Sequence, residues 1–425
     1  MTAAFEHLGL GAPAARRAGD RSARMREAAL AELRRLGLPT TKNEDWKYTP
    51  LRALESTPFQ RPDPELRPPA ELLDARVRGN RQVFVDGRFA PELSDACPPG
   101  VEILPISAEP FLAERYLGQL ADWKEHSFTA LNTAAFEEGA VLRVNEGVRA
   151  AEATHLWFVS TRSAEPTAAH PRLVVIVGAR SEFTLVETFL GPDSVPNLTN
   201  AVGEIWLSDS AQLRRAKIQR EGDRAFHVAR TEVRLGRDAR LVNDLLVLGG
   251  ELSHDELGVA FAGPGGSCLL RALFVATGRQ HLDQITRVDH AVPRCESREL
   301  YQGVAGDAAR GVFAGHVLVR EGASGTQAHQ SSRNLLLSDR ASIDARPQLA
   351  IYTDDVRCTH GAAVGYLDAN ALFYLRSRGV PTRQAEAMLV EGFASEILRE
   401  FPAEALELAT PWLNAKIPHA EEGGR

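Results

Sequence analysis

Cys358 and His360 stand two positions apart in the stretch "RCTHGAAVGY", residues 357–366. In an extended chain, side chains at i and i+2 share one face, so a thiol and an imidazole would lie side by side. Both groups ligate iron and zinc, and together they fill half of a tetrahedral site. The two residues alone leave other readings open. One is a buried cysteine beside a hydrogen-bonded histidine. Another is a Cys–His catalytic couple, although nothing near in sequence supplies the orienting third group that such a couple needs.

Other chemistry is thinly represented. No Gly-x-x-x-x-Gly-Lys-Ser/Thr loop, Gly-x-Ser-x-Gly elbow or His-Glu-x-x-His pair occurs. "GPGGSC" (263–268) lacks the lysine and following helix of a phosphate loop and reads as a turn between strands. Asp354 and Asp355 are sequence neighbours, which on a strand point to opposite faces, so a solvated turn is the better reading. His227, His254 and His281 are evenly spaced and invite a stacked ladder. Their step falls one short of the step between strand starts such as Ala211 and Ala239, however, and a slip of one position per turn moves a side chain to the opposite face.

The elements around the Cys-x-His pair are strands. From about residue 155 short β-rich stretches recur ("HLWFVST", "RLVVIVG", "EFTLVETF", "EIWLSD", "ARTEVRLG"), separated by Gly, Asp, Ser and Arg. In "ARTEVRL" Ala229, Thr231, Val233 and Leu235 alternate with Arg230, Glu232 and Arg234. No helix-period segment interrupts before about 368, which argues against βαβ units. Small residues introduce strands at Ser181, Ala211, Ala239 and Ser267 in nearly equal steps, with similar starts at Ala309 and Ala341. A regular period of that size built from strands and turns predicts a β-solenoid, with a β-sandwich as the alternative.

Helices flank this region. Met25, Ala29, Leu33 and Leu36 fall on one helical face in 23–36, and Gly37 and Pro39 end it. "KNEDWKYTPL" (42–51) sets Trp46 and Tyr48 among charges, as anchors for the N-terminal helix. Pro58, Pro62, Pro64, Pro68 and Pro69 make 56–71 an extended connector, and helix is expected again near 110–137. After the strands, Asp368 can cap a helix that Gly379 and Pro381 close. Thr382 can cap a second, and a third starts after Pro402. These helices could cap the exposed last coil or receive a partner. The division predicted is an N-terminal, mostly helical region (1–145), a β core (146–365) and a C-terminal helical region (366–425).

Composition sets the class. With 425 residues, 44% hydrophobic and 25% charged, the chain reads as globular, and a formal charge of −7 offers no basic footprint for nucleic acid. No apolar run approaches a membrane span, and "MTAAFEHLGLGAPAARRAGD" has no signal-type apolar core. Cysteines at 97, 268, 295 and 358 form no disulfide framework, which fits reduced thiols in the cytoplasm.

The stretch 331–381, "SSRNLLLSDRASIDARPQLAIYTDDVRCTHGAAVGYLDANALFYLRSRGVP", closely resembles the C-terminal signature of the SufB/SufD family of iron–sulfur cluster assembly proteins. "KNEDWKYTPL" and "FTALNTAAFEEGAVLRV" (128–144) resemble stretches on the SufD side of that family, as does Arg-Cys-Thr-His-Gly at 357–361. The resemblance implies a right-handed parallel β-helix between helical ends. It implies a non-catalytic scaffold that pairs end to end with a SufB-like subunit and docks a SufC-like ATPase on its C-terminal helices, so that ATP is handled in trans. Cys358 and His360 would lie at the subunit junction and meet a nascent iron–sulfur cluster. Flavin binding and dimerisation of the isolated chain are compatible with the sequence and decided by none of it. The rival readings are a β-helix enzyme, such as a lyase or hexapeptide acyltransferase, and an inert binding module. A lyase should carry charged clusters along its groove and the acyltransferase a hexapeptide repeat, and neither is evident.

Overall fold

The computed structural model of the protein describes residues 5, 7–10, 21–73, 77, 79–193 and 195–417. Most of the N-terminal stretch 1–20 and residues 418–425 therefore lie outside the described residues.

The core is a parallel β-solenoid in which each coil contributes one strand to each of two ten-stranded sheets. Gln212, Arg240, Ser267, Glu296, Gln327 and Arg357 stand in register along the first sheet, so successive coils differ slightly in length. The alternation expected in "ARTEVRL" is present. Ala229, Val233 and Leu235 are buried in the interior core, and Arg234 is exposed on the outside.

The turns explain the repeat. Arg180, Ser210 and Asp238 have φ of 56°, 58° and 53°, each immediately before a buried Ser181, Ala211 or Ala239. The left-handed residue reverses the chain, and the small residue tucks beneath the strand that follows. Register corrects the rest of the anchor series. The coil equivalent of Ala239 is Gly266, because Arg240 pairs with Ser267. Ala309 and Ala341 precede strands of the other sheet. The sheets also begin before residue 146: Asn80–Val85 joins the first and Ala140–Val144 the second.

The helical stretch expected over 110–137 is two helices, Pro110–Tyr116 and Ser127–Ala135. At the other end Ala369–Ser377 starts with Asp368 accepting from the Asn370 amide, as its sequence predicts. Thr382 does not cap the next helix. It is the first residue of Thr382–Leu398, Pro381 occupies the cap, and no side chain bonds there. The last helix is Ala403–Lys416.

These C-terminal helices do not cover the end of the solenoid. Val390, Ala394, Ile397, Leu408 and Leu413 pack on the outer flank of the first sheet, against Ala216, Ile218, Leu246, Leu273 and Val275. Arg271 helps hold them there, donating to the carboxylate of Asp244 at 2.7 Å and to the Glu400 carbonyl at 2.8 Å. The last coil is left open.

Candidate functional site

The open end is formed by the strands Val356–Tyr366 and Ser342–Ile351. Each is the terminal strand of its sheet, paired on one side only. An unpaired edge presents a row of free N–H and C=O groups and is a ready template for another chain. Ile351, Tyr352, Val364 and Tyr366 are exposed around it, at 40%, 67%, 43% and 59%.

Cys358 and His360 lie within this last strand, in register with Ala328 and Gln330 of Thr326–Leu336. Ala328 belongs to the interior core and Gln330 is fully buried, so both members of the Cys-x-His pair stand on the face continuous with the solenoid interior. The same-face reading of the sequence holds. Cys358 is half-buried and packs on the core, and His360 is exposed. Burial pushes the Cys358 thiol up, partly offset by a backbone hydrogen bond from Ala328, and a cation close by would favour loss of its proton. On the opposite face Thr359 Oγ1 and His329 Nδ1 are 2.7 Å apart.

Two donors of one chain do not complete a metal site. Among the described residues, three metal-capable groups meet within 4.8 Å only at Asp45, His126 and Glu256, on the outer face of the second sheet. Arginines already occupy that place. Arg287 pairs with both Asp45 and Glu256, and Arg230 holds Glu256 at 2.6 Å. Burial and then Arg230 push the His126 pKa down. The cluster is a salt-bridge network fastening the N-terminal segment, and a cation would compete with two guanidinium groups for its carboxylates. Asp354 and Asp355 fall in an exposed bend, and 263–266 is a turn with Gly265 at φ 79°, as expected.

The histidine series does not stack. His227 faces the interior, 2.7 Å from Glu221 and 3.0 Å from Lys217 Nζ. His254 is in register with Val228 rather than His227, and lies on the outer face. His281 shares that outer face, in register with Leu252.

Trp46 and Tyr48 are anchors, as their sequence context predicts, and the structure extends what they hold. Trp46 is buried between the rings of Phe128 and His254. Thr49 Oγ1 donates to Asp283 at 2.5 Å. Tyr48 lies against the Arg346 guanidinium, and Glu44 pairs with the same arginine. This short segment thus runs along the solenoid from the coil of His254 to the last coil. Two residues of the open end carry no signal in the sequence: Gln330, beneath His360, and Glu299, beneath Gln330. Only the coil register could have found them.

Two stretches match known family descriptions. Residues 158–393 match the SUF system FeS cluster assembly SufBD core domain, and 16–156 match the SufBD protein N-terminal region. An iron–sulfur cluster assembly SufBD family protein of Synechocystis is 30% identical over 401 residues, covering 90% of this chain and 88% of the relative. The iron–sulfur cluster assembly protein SufD of Escherichia coli is 31% identical over 382 residues, covering 89% of each chain. SufD of Bacillus subtilis is 29% identical over 285 residues, covering 67% of this chain and 65% of the relative.

Proposed function

Because this chain belongs to the SufBD family of iron–sulfur cluster assembly proteins, we propose that it is the SufD-like scaffold subunit whose Cys358 and His360 form half of a cluster-assembly site. The observation that carries this reading is their shared placement. Both stand on the interior-facing side of a terminal strand with a free edge, inside an exposed apolar rim.

The partner is a SufB-like subunit that pairs with the free edges and brings the remaining ligands. The iron–sulfur cluster is cargo, assembled between the two chains and passed on. His360, as neutral imidazole, supplies a nitrogen ligand. Cys358 supplies a thiolate once iron offsets the burial that holds its proton. Apolar residues around the junction exclude water from a cluster that hydrolyses and oxidises readily.

The ATPase would act on the C-terminal helices. Phe373 and Tyr374 are 73% and 58% exposed on Ala369–Ser377, a helix with no buried residue that follows closely on the end of the strand bearing Cys358 and His360. A SufC-like partner gripping this helix would pull directly on the strand that holds His360. No helix among the described residues is long and apolar enough to cross a membrane.

The test is co-expression with SufB-like and SufC-like partners, followed by purification and assay of iron and acid-labile sulfide. His360→Ala should leave the complex assembled and lower its cluster content. A full cluster yield from that variant would remove the ligand role.

A further inference from the structure

The interior of the last three coils carries a polar column that ends at His360. Glu299, Gln330 and His360 occupy the same register position on three successive strands of the first sheet. Glu299 and Gln330 are both fully buried. The Glu299 carboxyl accepts from Thr286 Oγ1 at 2.5 Å and from Gln330 Nε2 at 3.0 Å. No cation pairs with it among the described residues.

That second bond fixes which way the Gln330 amide points. A carboxyl oxygen accepts from the NH2 end, so the carbonyl end, Oε1, must face elsewhere. The NH2 end is also crowded from the facing sheet: a Cβ on Gly315 would fall 2.0 Å from Nε2. Glu299 and the Gly315 backbone therefore both engage the Nε2 end of Gln330, and turning the amide over would set Oε1 against the Glu299 carboxyl oxygen. Its Oε1 is buried and has no hydrogen-bond partner. The next strand on the free side, about 4.8 Å away, carries His360 at the matching position. Asn334 also leaves Oδ1 unmet, but the residue above it is Val364, which has no side-chain donor.

Resting on the reading of His360 as a ligand, we infer that Gln330 is its positioning residue: Gln330 Oε1 accepts the N–H of the imidazole and leaves the other ring nitrogen, with its lone pair, facing the open end. The two are not hydrogen-bonded in this structure, where the His360 ring is exposed and free to turn. Metal capture at the open end would bring the ring into line and meet the orphaned acceptor. Metal-bound histidines regularly donate their second N–H to such a partner, which fixes the tautomer and makes the ligating nitrogen more basic. Glu299 acts one step further back, by holding the amide with its oxygen outward.

The experiment follows the His360 ring in the full chain by nitrogen-15 histidine NMR during titration with Zn²⁺, a diamagnetic probe ion. The His360 signal is identified by its loss in His360→Ala. Gln330→Met keeps the volume and removes the acceptor. Gly315→Ala displaces the amide without altering any residue of the open end, and thermal melts check that both fold. In the unaltered chain zinc should select a single tautomer with the second nitrogen still protonated. In either variant the zinc midpoint should move up by about 10- to 100-fold, the usual cost of losing such a partner. An unchanged midpoint and tautomer in folded variants would overturn the inference. Cluster yield in the co-expressed complex separates the two readings. Yield lost in His360→Ala but kept in Gln330→Met removes the role of Gln330 alone. Yield kept in both removes the ligand reading and the inference with it.

Discussion

Trp46 and His254 lie ring on ring, with centroids 3.8 Å apart and planes 19° from parallel. The indole comes from the N-terminal segment and the imidazole from the outer face of the solenoid, so this contact ties two parts of the chain far apart in sequence. His254 Nδ1 donates to Asp283 at 2.7 Å and Nε2 to Glu256 at 3.1 Å, which makes the ring a cation held against an aromatic face. Trp46→Ala should lower the unfolding free energy by about 3 kcal/mol, the cost typical of truncating a buried aromatic. Limited proteolysis should show faster cleavage in 37–50, and unchanged melting and cleavage would show that the segment is held by other contacts.

The same histidine makes a pH prediction. Burial alone would lower its pKa, but Asp283 and then Glu256 hold it up at about 10. A group whose folded pKa is raised stabilises fully below its unfolded value of about 6.5 and loses that contribution as pH climbs to the folded value. Stability should therefore decline between about pH 6.5 and 10, by on the order of 5 kcal/mol from this residue. Denaturant melts across that range should show the decline flattened in His254→Gln.

Glu299 predicts a second decline at lower pH. Burial raises its pKa to about 7, against the lowering effect of bonds from Thr286 and Gln330. The folded protein then holds a proton that the unfolded chain releases near pH 4.5, so stability falls as pH rises from about 4.5 to 7. Glu299→Gln should remove that slope while keeping an acceptor for Gln330 Nε2. A slope that persists in the variant would assign it to other groups.

Packing inside the coils sets a further expectation. Phe274 fills the space left by two glycines, Gly303 on the next strand and Gly311 in the facing sheet, and a Cβ on Gly303 would fall 2.0 Å from its ring. Neither glycine has a left-handed backbone, so the reason for glycine is room rather than conformation. Gly303→Ala should cost about 1–3 kcal/mol by overpacking, and Phe274→Leu in the same chain should recover part of it. The double-mutant melt decides.

Much of this architecture is legible in the chain because two periods coexist in it. The two-residue alternation of "ARTEVRL" gives strands, and the turn spacing gives coils. What the alternation conceals is polarity inside the solenoid. Arg215 and Glu187 form a paired salt bridge in the interior at 2.7 and 2.8 Å, and Lys217 meets Asp255 there, positions that read as outward-facing from charge alone. The coil length is not constant, so neighbours such as Gln330 and His360 cannot be matched without the register. The fold of the C-terminal helices back along the flank is hidden for another reason. In Thr382–Leu398 the face turned inward carries Ala387, Val390 and Ala394 while Met388 is exposed, and the surface that selects it, Ala216, Ile218 and Leu246, points outward only once the coils close.

The open end gives the most direct test of pairing. Val364 is 43% exposed on the terminal strand, in register with Asn334 and close to Tyr366 along the same strand. Inside an interface its side chain would be buried against the partner, where an unpaired carboxylate is strongly disfavoured. In the isolated chain the same carboxylate would be hydrated, so Val364→Asp should leave the melting temperature of the single subunit within about 2 °C of the original, as for other surface changes. Co-purification with a SufB-like partner should fall at least about tenfold, equivalent to about 1.4 kcal/mol of lost association energy. Iron and sulfide content should fall with it, although Cys358 and His360 are untouched. Retained pairing at full strength would mean that this strand edge is not the junction, and would move the half-site reading of His360 to some other surface.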